Sequence, residues 1–245
     1  MKRAVAKEEK RKIFKTKVLP AILLACLTFA AVKIAQFVVI KIAVTILSPE
    51  MAKTTLASAI CAVTYYALAI LLIVFVPVIF VKKWKFTREE IGLKELPTWT
   101  DIGLSPIFFI VYFFVSSFIV SIFAKLPGFD VTTRQDTGFG NSLIGTDRVI
   151  AFIILVVVAP IIEEVIFRGI LYGKLRAKYS LPLSLIVTSL VFALLHSPAS
   201  VCIDVFVLSV ALCFLREITG TVYAGILVHM IKNALAFYSL YILFG

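Results

Sequence analysis

Charged residues are scarce in this sequence. Of its 245 residues, 16% are Asp, Glu, Lys or Arg and 61% are hydrophobic, whereas a soluble domain carries about 25% charged and about 45–50% apolar residues. The composition therefore argues against an ordinary soluble protein. It predicts an all-α fold, a polytopic transmembrane bundle of about seven helices (six to eight) with a buried polar site, because helices satisfy their own backbone hydrogen bonds in lipid.

Cysteine is also sparse, and its spacing excludes several chemistries. The four cysteines are scattered through apolar segments without a Cys-x-x-Cys pair: Cys26, Cys61, Cys202 and Cys213. That spacing argues against structural disulfides and against a zinc–thiolate site. None of the four lies in a motif with a histidine, so a cysteine nucleophile is disfavoured.

The basic residues fall into a few polar segments. The net charge is +11, but it is concentrated in residues 1–17, in the loops 82–95 and 174–178, and at Arg216, rather than on one face that could bind nucleic acid. The positive-inside rule then places these segments in the cytoplasm, including the amino terminus. We expect a multi-pass protein of the plasma membrane, with the lipid bilayer as its partner and no nucleic acid.

Apolar runs divide the rest of the chain. Residues 1–17 form a basic cytoplasmic tail, and residues 18–245 are expected to form a single transmembrane domain. The runs predict seven spans, at 18–47, 54–81, 102–124, 149–172, 181–196, 200–215 and 221–244.

Three charges interrupt the fourth of these runs. Residues 149–162 carry no charge, and Glu163, Glu164 and Arg168 follow at once. A charged residue at the centre of a membrane helix costs roughly 2.5–3.5 kcal/mol on insertion scales. Glu164 and Arg168 are i and i+4, so we expect them to pair on one helix face. Glu163 points about 100° away from Glu164, which leaves its carboxylate available for chemistry.

The remaining polar groups of interest lie in later apolar segments. His196 and His229 are the two histidines of the sequence, and Asn233 follows His229 at i+4 on the same helix face. Glu, His and Asn side chains from three apolar segments can together perform polar catalysis within a membrane.

These motifs, in this order, carry a family resemblance. Glu-Glu-x-x-x-Arg, then Phe-x-x-x-His, then His-x-x-x-Asn on successive membrane helices resembles the CPBP family, which includes type II CAAX prenyl endopeptidases and Abi or bacteriocin-processing proteins. The resemblance covers a catalytic core at about residues 149–240. It implies an intramembrane endopeptidase acting on a peptide or a lipidated protein.

The same resemblance assigns roles to the site residues. It implies that Glu163 and His196 activate a water molecule, and that His229 and Asn233 donate hydrogen bonds to the oxyanion. Glu164 and Arg168 are then structural partners that orient the site. No cofactor is expected.

Two alternatives remain open. Glu163, His196 and His229 could form a two-histidine, one-carboxylate zinc site, although the His-Glu-x-x-His spacing of zincins is absent. The protein could also be a bacteriocin-immunity or transporter-like protein without hydrolytic activity, because intramembrane Glu, His and Arg build proton relays too. No internal repeat typical of transporters is visible, and the polar residues gather in the second half of the chain.

Two further charges are interpreted more simply. Asp204 lies near the start of a predicted span and is expected at the membrane interface. Lys232, beside Asn233, either lines the cavity or extends its ammonium to the interface.

Overall fold

The computed structural model describes residues 88–93, 96–133, 143–196 and 198–243, together with residues 135, 137 and 139. Within these residues all regular secondary structure is helical, as the composition predicts. The basic tail and the first two predicted spans, 18–47 and 54–81, lie outside the described residues. The division into a tail and a single transmembrane domain stays a prediction.

Five helices make up the described part of the chain. We label them α1 (Trp99–Phe123), α2 (Gly145–Arg176), α3 (Leu181–Leu194), α4 (Ala199–Thr219) and α5 (Tyr223–Leu243). By length and composition, α1, α2, α4 and α5 can each cross a membrane. The described residues therefore hold four candidate spans, and the total of seven remains a prediction.

The helix α3 is shorter than the predicted span 181–196. Its 14 residues extend about 21 Å at 1.5 Å per residue, less than the roughly 30 Å of a bilayer core. Pro182 stands in its first turn, and the chain leaves the helix after Leu194. The apolar run continues to Leu195, so hydrophobicity alone placed the helix end too late.

The helix α2 is locally unwound on both sides of the glutamate pair. Its segments Ile153–Val158 and Val165–Tyr172 are π-helical, and Ala159–Glu164 between them is α-helical. Wider turns of this kind inside an α-helix occur frequently at functional sites. The wider turns change the angle between successive side chains around the axis of α2, compared with a regular α-helix.

Polar contacts fix the relative positions of the other helices. The helix α1 begins at a capping box, in which the Thr98 hydroxyl accepts from the Asp101 amide and the Asp101 carboxylate accepts from the Thr98 amide. The Thr221 hydroxyl donates to the same carboxylate at 2.6 Å, which ties the start of α1 to the chain just before α5. The helix α4 ends at Gly220, whose φ of +71° is left-handed and suits glycine.

Three of the basic segments meet at one end of the bundle. Lys174 pairs with Glu90 at 2.7 Å, and Arg176 pairs with Glu217 at 2.9 Å. Arg216 donates to the backbone oxygen of Glu90 at 3.2 Å. The charged ends of α2 and α4 and the segment before α1 therefore share one side, as predicted from the charge pattern. That this side is the cytoplasm stays a prediction.

Candidate active site

Consecutive glutamates of α2 occupy different environments. The side chain of Glu164 is fully buried, whereas that of Glu163 is 12% exposed. Glu163 lines a cavity of about 650 Å³ between the helices. The rotation of about 100° per residue in a helix accounts for this divergence.

Glu164 is the centre of a buried charge cluster. Its Oε1 accepts a hydrogen bond from Nη1 of Arg168 at 2.8 Å, so the contact predicted from the i, i+4 spacing is present. The same oxygen lies 3.0 Å from Nδ1 of His229 on α5. Glu164 thus contacts both the guanidinium of Arg168 and the imidazole of His229 through one oxygen. The helix α5 approaches closely here because Gly225 faces Glu164: a Cβ placed at Gly225 would lie 3.0 Å from Oε2 of Glu164.

The ring of His229 lies between the two glutamates. Its Nδ1 faces Glu164 at 3.0 Å, and its Nε2 faces Oε2 of Glu163 at 3.7 Å. The imidazole is buried, with 5% of its side chain exposed. Because a carboxylate only accepts hydrogen bonds, Glu164 holds the proton on Nδ1 and fixes the plane of the ring. The Nε2 edge is directed to Glu163 and the cavity.

His196 lies just beyond the carboxyl end of α3 and lines the same cavity. Its Nδ1 is 2.8 Å from the backbone oxygen of Phe192. A carbonyl oxygen can only accept, so Nδ1 carries the proton and the Nε2 of the neutral ring carries a lone pair. In this tautomer the acceptor nitrogen of a neutral His196 is Nε2, whereas His229 contacts a carboxylate through its Nδ1.

Phe192 packs between the two histidines. Its ring centroid is 4.8 Å from that of His196 and 6.0 Å from that of His229. The guanidinium of Arg168 lies over the same ring, 4.4 Å from its centroid. This fully buried phenylalanine fixes the separation of the histidines and covers the cation with an aromatic face.

Asn233 contacts a backbone oxygen of α2 that lacks a backbone donor because α2 contains Pro160. The amide of Ala159 bonds to the oxygen of Ile154, five residues back. In this register Leu155 would accept from residue 160, but Pro160 has no N–H. The side-chain amide of Asn233 donates to that Leu155 oxygen at 2.9 Å instead. Asn233 thus completes the backbone of α2 and lines the cavity one turn from His229.

A second polar group in the cavity was not predicted from the sequence. Oδ1 of Asp204 accepts from the Tyr112 hydroxyl at 2.7 Å and from the Ser116 hydroxyl at 2.5 Å. Its Oδ2 lies 3.9 Å from Nζ of Lys232. Asp204 lines the cavity with Glu163, and its expected place at the membrane interface stays a prediction. The signal that could have found it is the spacing of Tyr112 and Ser116, which share one face of an apolar helix.

The described residues do not form a ready metal site. Within the part of the chain that the structure describes, no three His, Cys, Asp or Glu side chains are grouped so that they could hold a metal ion. The triplet Glu163, His196 and His229 shares the cavity but is not gathered around one point. As arranged, these residues do not fit a three-ligand zinc site.

The fold and site define a class: a helical membrane protein whose buried Glu, His, Arg and Asn side chains surround a cavity among its spans. Residues 145–235 match the family described as "Type II CAAX prenyl endopeptidase Rce1-like". The match confirms, over residues 145–235, the resemblance predicted from the three motifs.

A curated relative points in the same direction. The protein named "Putative membrane peptidase YdiL" from Bacillus subtilis (strain 168) is 24% identical over 135 residues, which cover 54% of this chain and 55% of that protein. The chain thus spans about half the length of the curated relative that it matches. No solved structure matches the chain.

Proposed function

We propose that this protein is a membrane-embedded endopeptidase that hydrolyses a peptide bond with a water molecule activated by Glu163 and His196. The observation that carries the proposal is the position of His229 between two glutamates, one locked by Arg168 and one facing the cavity. The match of residues 145–235 to the Rce1-like family and the name of the relative support a peptidase.

Water activation requires a proton acceptor in the cavity. The carboxylate of Glu163 is partly exposed to that cavity, and the lone pair on Nε2 of His196 belongs to a second acceptor lining it. In the proposed step Glu163 removes a proton from a water molecule that also contacts His196, while the water oxygen attacks the scissile carbonyl carbon. Glu163 then delivers a proton to the leaving amine, which general acid–base catalysis requires.

The two carboxylates beside His229 support an oxyanion role for it. Glu164 contacts Nδ1 and Glu163 faces Nε2, so groups that can pair with an imidazolium flank the ring on both sides. In the proposed step Nε2 of the imidazolium donates a hydrogen bond to the negative oxygen of the tetrahedral intermediate.

Asn233 is the proposed second donor. Its side-chain amide has two N–H groups, and one is used on the Leu155 oxygen. That bond fixes the amide, so the second N–H is preorganised rather than free to rotate. Donors fixed before the reaction require no reorganisation when charge develops, and this is why they stabilise the transition state strongly.

The substrate is proposed to be a peptide segment or a lipidated protein. The cavity has an apolar wall from α1 and α5 and a polar region formed by the site residues. The test is an assay of the purified full-length protein with a mixed-sequence peptide library, with and without a prenylated cysteine, followed by mass spectrometry. Defined cleavage products support the proposal. Unchanged peptides of both kinds, from protein whose fold is intact by circular dichroism, contradict it.

A further inference from the structure

Lys232 provides a positive charge in the cavity wall. It lies on α5 three residues after His229, and 19% of its side chain is exposed. Among the described residues that line the cavity, it is the single lysine or arginine. An ammonium inside an apolar helix bundle needs an anion near it.

Among the described residues, one carboxylate lies within 4 Å of the Lys232 ammonium, and that contact is loose. Nζ of Lys232 lies 3.9 Å from Oδ2 of Asp204, which is longer than the roughly 2.7–3.2 Å of a hydrogen bond. Asp204 does not depend on this contact, because Tyr112 and Ser116 already donate to its other oxygen. The three N–H donors of the ammonium therefore suit a second carboxylate that reaches the cavity.

We propose that Lys232 binds a carboxylate of the peptide substrate and so selects where the chain is cut; this rests on the proposed peptidase function. Lys232 and His229 are i+3 neighbours, with roughly 5–6 Å between their Cβ atoms. A carboxylate bound by Lys232 therefore lies close to the peptide bond that reaches His229 and Glu163. Two sources fit this chemistry: the terminal α-carboxylate, which directs cleavage to the last few residues, or an acidic side chain beside the cut.

A simpler role for Lys232 is to neutralise Asp204. In that case its replacement would affect folding, or would lower the rate for all peptides equally. If Lys232 selects the substrate, its replacement lowers kcat/KM only for peptides that carry a carboxylate. The ratio of kcat/KM values between matched peptides measures that dependence and is insensitive to the amount of folded enzyme.

The experiment uses one mixed-sequence peptide library in three forms: a free carboxyl terminus, a terminal amide, and a terminal amide with glutamate as the last residue. The wild-type protein, Lys232→Met and Lys232→Arg are compared, with Lys125→Met as the control because Lys125 is exposed beyond α1. We expect wild-type kcat/KM to favour a carboxylate-bearing form over the plain amide by about 10- to 100-fold, the range for a hydrogen bond to a charged group. The change should appear mainly in KM.

In Lys232→Met this preference should fall to near unity while the plain amide is still cut, and Lys232→Arg and Lys125→Met should keep the preference. The free-acid library identifies the terminal carboxylate, and the glutamate library identifies a side chain. Equal cleavage of all three forms by the wild-type protein overturns the proposal and leaves the peptidase intact. A preference that survives in Lys232→Met also overturns it. Absence of cleavage of any form contradicts the peptidase function itself.

Discussion

The Nδ1 atom of His229 lies 3.0 Å from Oε1 of Glu164, the oxygen that also accepts from Arg168 at 2.8 Å. The second glutamate of the pair therefore does more than neutralise an arginine four residues along its helix. It fixes the tautomer and the orientation of a histidine on another helix, so that Nε2 is directed to Glu163. The cluster links the polar residues of α2 to those of α5.

Glu164→Ala should destabilise the protein strongly. Removing one partner of a buried ion pair typically costs about 3–5 kcal/mol, because the other charge remains buried. The matched control is Glu90→Ala, which removes the more exposed partner of Lys174 (41% of its side chain is exposed) and should cost about 0–1 kcal/mol. The measurement is the melting temperature of each variant in detergent, relative to the wild-type protein. Equal, small shifts in both variants would show that the buried pair is unimportant for stability.

Asn233→Ala should have two separable effects. Loss of an oxyanion donor lowers kcat by about 10²–10³-fold, and an unpaired Leu155 oxygen costs about 1–3 kcal/mol of stability. Adding Pro160→Ala restores an N–H that can bond to that oxygen. The double variant should therefore regain stability but keep the low kcat. Recovery of kcat together with stability would show that Asn233 acts only through the backbone of α2.

Gly225→Ala should displace the Glu164 side chain, because Gly225 on α5 faces that carboxylate. A Cβ there lies 3.0 Å from Oε2 of Glu164, and that side chain is held by both Arg168 and His229. Displacing it lengthens one of those bonds, so we expect a lower melting temperature and a lower kcat. The control is Gly103→Ala on α1, where a Cβ meets nothing within 4 Å. Wild-type kcat in Gly225→Ala would mean that the position of Glu164 is not critical.

Removal of metal should leave the activity intact. The proposed reaction uses Glu163 and His196 as proton acceptors and needs no Lewis acid. The measurement is peptidase activity after chelation, with elemental analysis of the same sample, and it should show substoichiometric zinc in active protein. One zinc per chain, with activity lost on its removal and regained on its return, would establish the metal-dependent alternative.

The sequence predicted the parts of the site that depend on local spacing. Glu164 and Arg168 meet because i and i+4 share a helix face, and Glu163 diverges because consecutive residues do not. These relations follow from helix geometry alone. The motifs also singled out His196, His229 and Asn233, and all three line the cavity.

Contacts between helices could not be predicted in the same way. The bond from His229 to Glu164 joins residues 65 apart, and that from Asn233 to Leu155 joins residues 78 apart. Both depend on how α5 packs against a π-helical α2, which periodicity does not show. The contacts of Asp204 were missed for the same reason, since its partner hydroxyls come from α1.

The most direct test of the account is the kcat of Glu163→Gln on a peptide that the wild-type protein cleaves. This change keeps the shape of the side chain and leaves Glu164, Arg168 and His229 in place, but a neutral amide cannot accept the proton from water. We predict that kcat falls to background while the melting temperature stays close to the wild-type value, and that the matched Glu217→Gln remains active. A folded Glu163→Gln variant that turns over at the wild-type rate would contradict the proposed mechanism.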